Sequence, residues 1–200
     1  MVDGVIATFV ASAALLLAIP GPTNTLFAAS GAAVGLRKSL ALILVAIAAY
    51  VLAILILMQI YDRVFAGSSV AGAIAKAIAS LILVTLAVRL WRPVEAGLDA
   101  VPMRPISPAQ MFVATLFNPK ALIFAFAVFP RVGPSETAGL MGLFAILAAA
   151  AGGAWVVLGR MIALSTGRAA TAGRIRRAAA LILCVFATVI ASSAIAAVLS

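Results

Sequence analysis

The chain contains no histidine, one cysteine and only five acidic residues among its 200. Without histidine there is neither a Ser-His nucleophile nor a histidine-held metal. A single cysteine, Cys184, excludes an intramolecular disulfide and a Cys-x-x-Cys redox pair. No aspartate or glutamate falls near the centre of an apolar run, so paired-carboxylate catalysis has no candidates. An enzymatic role is therefore not expected. Charge of either sign is scarce at 10% of residues, where a soluble domain carries about a quarter.

Apolar residues fill the space that those groups leave. Hydrophobic residues make up 66% of the chain and the mean hydropathy is +1.28. The excess runs end to end, which predicts an all-α integral membrane protein with one membrane domain over 1–200 and no soluble domain. The net charge of +9 does not imply a nucleic-acid partner, because the basic residues are parcelled out between apolar runs. The opening Met1-Val2-Asp3-Gly4 carries an acid where a signal peptide is basic, and its apolar run exceeds signal length. That run is expected to remain as the first span. Cys184, within an apolar helix, reads as a small core residue.

About 20 apolar residues cross the hydrocarbon core. Six such segments can be laid out, near 5–33, 38–60, 70–91, 109–130, 138–163 and 178–199. The first, third and fifth connections hold ten basic residues: Arg37, Lys38, Arg89, Arg92, Arg104, Arg160, Arg168, Arg174, Arg176 and Arg177. The opposite side has only Arg63 and Arg131. Positive charge marks the cytoplasmic side, so both termini are expected outside it, as an even number of spans requires. Two lysines fall within spans. Lys76, near a helix end, is expected to snorkel to the interface. Lys120, near the middle of the fourth span, is a functional candidate.

The first span is interrupted by Pro20-Gly21-Pro22-Thr23-Asn24 and the fourth by Asn118-Pro119-Lys120. Proline removes an amide donor and blocks the helix ladder, and hydrocarbon offers nothing to replace the lost bond. Asn24 and Asn118 are 94 residues apart, close to half the chain, and each lies in the first span of a three-span half. Three is odd, so the halves (about 1–100 and 101–200) are expected to form a 3+3 inverted repeat. Broken helices at matching places in two halves point to a transporter's binding site. Pro20, Gly21, Pro22, Thr23, Asn24, Asn118, Pro119 and Lys120 are thus the candidate substrate-binding residues. Thr25, Ser30 and Thr115 add hydroxyls near the breaks, and Gly152, Gly153 and Gly159 read as helix-packing positions.

The segments "PGPTNTL" and "GLRKSL" near the start, "RLWRP" after the third span and "NPKALIFAFAVFP" in the fourth carry a family likeness. Together they resemble the LysE/RhtB-type amino-acid exporters over nearly the whole chain. That resemblance implies an inner-membrane carrier exporting amino acids or similar small metabolites, often proton-coupled, and a homodimer. The second span, "SLALILVAIAAYVLAILIL", has neither the spaced glycines nor the deep acid frequent in that family, and Tyr50 stands near the acid's place. No cofactor is expected, while coupling to a proton or to a sodium gradient both stay open. Lys120 either neutralises a substrate carboxylate, cycles its own proton, or reaches the inner boundary or a water cavity. With no acid available as a counter-charge, a zwitterion with a small or apolar side chain fits better than a cationic amino acid. A channel and a structural membrane protein remain as alternatives.

Overall fold

A computed structural model describes residues 2–65, 69–91 and 105–164, with helical residues at 180–181, 184–185, 187–192 and 195–196. Every element over these residues is helical, as hydrocarbon requires of a chain with no closed barrel. In chain order they are α1 (Val2–Ala18), α2 (Pro22–Val34), α3 (Leu36–Phe65), α4 (Ser69–Trp91), α5 (Pro108–Leu116), α6 (Pro119–Ile123), a π-helical turn (Phe124–Val128) and α7 (Pro134–Leu164).

α3 and α7 are each long and apolar enough to cross a membrane unaided. Two bent pairs bring the number to as many as four: α1 with α2, at 59°, and α5 with α6 and its π-turn, at 43°. The chain is an all-helical membrane protein. Its 23-residue α4 lies where the third span is expected. The expected last span lies only partly within the described residues, and the connections carrying Arg92, Arg104, Arg168, Arg174, Arg176 and Arg177 lie outside them, as does the side chain of Lys76.

Both bends occur where the sequence places them, for local reasons. Gly21 is extended and precedes Pro22, whose missing amide is harmless at the first position of α2. Asn118 is likewise extended (φ −71°, ψ 123°), the conformation a following proline favours, and Pro119 opens α6. Ser107 starts α5 with a reciprocal capping box: it accepts from Gln110 N at 3.1 Å and donates its own amide to Gln110 Oε1 at 2.9 Å. The second broken helix continues as a π-turn, closed by Phe129 N to Phe124 O at 2.9 Å.

α2 and α7 pack backbone to backbone through glycine. A Cβ on Gly31 would lie 1.9 Å from the Val156 carbonyl oxygen, and one on Gly159 would lie 2.0 Å from that of Ala28. Gly152 meets the ring of Phe27, where a Cβ would sit 3.0 Å from a ring carbon. The packing expectation thus holds for Gly152 and Gly159 but fails for Gly153, whose Cβ position is open. Gly35, at φ +78°, joins α2 to α3 in a conformation that side chains with a Cβ rarely adopt.

Cys184 is exposed, contrary to the reading of it as a core residue. The cause is general to membrane chains. An apolar residue is equally at ease against lipid, so hydrophobicity does not report burial within the protein. Residues of the last segment that do pack inward include Ala180 and Ala187, and Ser80 of α4 donates to the Ala187 carbonyl at 2.9 Å.

Candidate functional site

The two breaks meet inside the protein. Thr23 and Asn24 begin α2, Thr115 ends α5, Asn118 and Lys120 begin α6, and all five are buried. Tyr50, on the inward face of α3, is buried beside them. In a core otherwise almost wholly apolar, such a cluster persists only if its polar atoms satisfy one another. Among the described residues, no buried side-chain nitrogen or oxygen lacks a partner.

The first break is closed by its own asparagine. α1 ends at Ala18, which leaves carbonyls beyond the helix ladder without amide partners. Asn24 Nδ2 donates to Leu17 O and to Ile19 O, each at 2.7 Å. Its two amide hydrogens therefore serve carbonyls that an unbroken helix would have paired with the amides of residues 21 and 23. Thr25 N bonds Gly21 O at 2.8 Å and resumes the helix.

The second break is closed partly by itself and partly by the first. Asn118 Oδ1 accepts from Lys120 N at 3.0 Å and caps α6. Its Nδ2 donates to Thr23 Oγ1 at 2.8 Å and to Tyr50 Oη at 2.9 Å. Thr23 and Thr115 share a further hydrogen bond between their hydroxyls at 3.1 Å. The Lys120 ammonium crosses to the other break and donates to Ile19 O. Gly21 faces the same side chain: a Cβ there would lie 3.2 Å from Lys120 Cε.

Aromatic rings wall one side of this network. The Tyr50 ring meets Phe144 edge-on at 5.9 Å and Phe124 at 6.1 Å, and those two rings meet each other at 4.8 Å. Beside Asn24 and Tyr50 a cavity of about 10 Å3 has room for one water at most. The junction is closed. A cavity of about 760 Å3 lies elsewhere, between α3 and the start of α7, lined by Leu55, Met58, Gln59, Asp62, Arg131 and Met141 among others. At its edge Arg131 pairs with Asp62 at 3.7 Å, covers the Tyr61 ring at 4.0 Å and donates to Ala125 O at 3.0 Å.

Of the eight residues expected at the site, Thr23, Asn24, Asn118 and Lys120 converge in the interior, and Gly21 lies against Lys120. Pro20 and Pro119 are half-buried and shape the breaks, whereas Pro22 is exposed. The two asparagines do not present free amides. Both are engaged in capping, so the expectation that they grip a ligand directly does not describe this closed arrangement. Lys120 is only 2% exposed, which removes the reading in which it reaches the inner boundary or a water cavity. Thr25 is exposed and Ser30 bonds Ser39 at 2.7 Å, so neither joins the junction.

Tyr50 joins as a hydrogen-bond partner. Its position was legible, but its role was not, since nothing local links it to a residue 68 positions away. Tyr50→Phe removes one acceptor from Asn118 and is expected to lower stability by about 1 kcal/mol, read as a shifted unfolding midpoint in detergent. An unchanged midpoint would show that the Asn118–Tyr50 bond contributes nothing.

Compared with protein-family models, curated proteins and solved structures, the chain matches none of them.

Proposed function

We propose that this chain is a secondary transporter that exports amino acids or related small carboxylate-bearing metabolites, with its site at the junction of the two breaks. It would have six spans in a 3+3 inverted repeat, in the bacterial inner membrane, with both termini outside the cytoplasm. A single observation supports this most strongly. Polar residues from two interrupted helices, far apart in sequence, are buried together at their breaks. Two proline kinks serving only to bend helices have no need of two asparagines, a lysine and two threonines between them. Placing such groups within an apolar protein is costly, so their presence is a sign of function.

The chemistry follows from what the closed network conceals. Separating the halves breaks the Asn118–Thr23, Asn118–Tyr50 and Lys120–Ile19 hydrogen bonds. That exposes the carbonyl end of α1, the amide end of α2, an ammonium group and a primary amide at one place. A zwitterion matches this set. Its carboxylate pairs with Lys120 and the positive end of α2, and its ammonium with Ile19 O, the carbonyl that Lys120 leaves. Among the described residues no acid stands by to balance a cationic side chain, so neutral side chains are preferred. Closure around the substrate from alternate sides is the transport cycle in this reading.

Counterflow in proteoliposomes tests it. Vesicles loaded with unlabelled amino acid are expected to accumulate the radiolabelled form, across a panel of neutral amino acids. Asn24→Ala and Lys120→Ala are expected to reduce the initial rate at least tenfold. A channel equilibrates label without overshoot, and a structural protein takes up none; either result would displace the proposal. Preference for lysine or arginine would overturn the substrate class.

A further inference from the structure

We propose that the carbonyl end of α1 is a seat for a monovalent ammonium ion, and that Lys120 is its tethered resident. A lysine inside a membrane protein ordinarily pairs with an acid or extends its ammonium to the interface. Lys120 does neither. It is buried, and its Nζ donates to Ile19 O of the opposite break.

Among the described residues, the groups of this cluster are neutral. The first broken pair contributes Leu17 O, Ile19 O, Thr23 and Asn24, α3 contributes Tyr50, and the second pair contributes Thr115 and Asn118. From α7 comes Phe144, whose ring meets that of Tyr50. Among the described residues the only ion pair is Arg131 with Asp62, outside this cluster. The positive charge is therefore offset by carbonyl oxygens at the negative end of a helix, an arrangement that holds a free cation as well as a lysine.

The surroundings are built to receive such a group. Asn118 caps the Lys120 amide and so fixes where the side chain starts. Gly21 leaves open the space in which a Cβ would lie 3.5 Å from Nζ. Asn24 Nδ2, bonded to the same Ile19 oxygen at 2.7 Å, holds that carbonyl in place. The cation that closes this junction is carried by the chain itself, so closure needs no sodium ion. This rests on the junction's geometry and stands apart from the transport reading.

Emptying the seat tests it. Lys120→Ala removes the ammonium and leaves room for ethylammonium, whereas Lys120→Met removes the charge and keeps the space filled. In detergent, ethylammonium chloride at about ten times its dissociation constant is expected to raise the melting temperature of Lys120→Ala by about 3–5 °C. Wild type and Lys120→Met are expected to move by less than about 1 °C. No rise for Lys120→Ala would overturn the proposal. So would an equal rise with ethanol, with sodium chloride, or in wild type. If Lys120→Ala is lost on purification, the yield of monodisperse protein is compared with and without ethylammonium chloride in all buffers; equal yields would overturn it too. Melting does not involve transport, so loss of counterflow in wild type and loss of ethylammonium binding are separate results.

Discussion

Asn24→Leu is expected to lower stability by about 2–4 kcal/mol and to abolish counterflow. Leucine keeps asparagine's branching and number of side-chain heavy atoms but is bulkier, so some overpacking adds to a loss that is chiefly one of hydrogen bonds. Asn24 Nδ2 is the donor to both Leu17 O and Ile19 O. With leucine in its place, Ile19 O keeps the Lys120 ammonium, but Leu17 O is left bare in an apolar interior. A buried acceptor without a partner costs about 1–3 kcal/mol, and the second lost bond adds about 1 kcal/mol. α1 would regain a partner for that carbonyl only by extending past Ala18, which Pro20 and Pro22 prevent. The matched control is Thr25→Leu at the exposed neighbouring position, expected to stay within about 0.5 kcal/mol of wild type. Unfolding in mixed micelles reads both variants. If Asn24→Leu melts with Thr25→Leu, the asparagine does not close the break.

The second large effect is steric. Gly31→Ala places a methyl group 1.9 Å from the Val156 carbonyl oxygen, and Gly159→Ala places one 2.0 Å from that of Ala28. Real contacts of that kind exceed 3 Å, and backbone cannot swing aside as a side chain can. α2 and α7 must separate along their length, which forfeits their close dispersion contacts. Overpacking of this kind costs about 1–3 kcal/mol and sometimes more, so either variant is expected at the upper end of that range. Gly153→Ala, with nothing within 4 Å, is the control. Alanine favours helix over glycine by about 0.5–1 kcal/mol, so this variant should melt at or slightly above wild type. Equal melting of Gly31→Ala and Gly153→Ala would show that α2 and α7 are not in backbone contact.

The two effects are linked through α2. Its N-terminal turn carries Thr23 and Asn24 into the junction, while Gly31, two turns on, fixes the helix against α7. A shift at Gly31 therefore displaces the junction as well, and Gly31→Ala is expected to slow transport beyond its loss of stability.

Much of this was legible from residue types. A run of apolar residues long enough for a bilayer must be helical, because only a helix satisfies its backbone within one segment. Proline has no amide hydrogen, so Pro20, Pro22 and Pro119 fix where two of those helices break whatever surrounds them. That polar residues such as Thr23, Asn24, Asn118 and Lys120 gather at those breaks also followed, because hydrocarbon cannot satisfy the groups a break exposes. By itself the sequence determined the helical class, the places of the described helices and the two interruptions.

Only the tertiary structure decided what fills the interruptions. The acceptors that matter, Leu17 O and Ile19 O, are backbone atoms, and side-chain identity at 17 and 19 says nothing about what reaches them. That Lys120 serves the opposite break, that Tyr50 bonds Asn118, and that Cys184 faces outward all depend on which helix faces meet. In a soluble protein the polar side of each helix would have revealed those faces. Here lipid and protein interior are equally apolar, so the periodicity that separates inside from outside is lost, and packing of small residues such as Gly31 and Gly159 settles it instead.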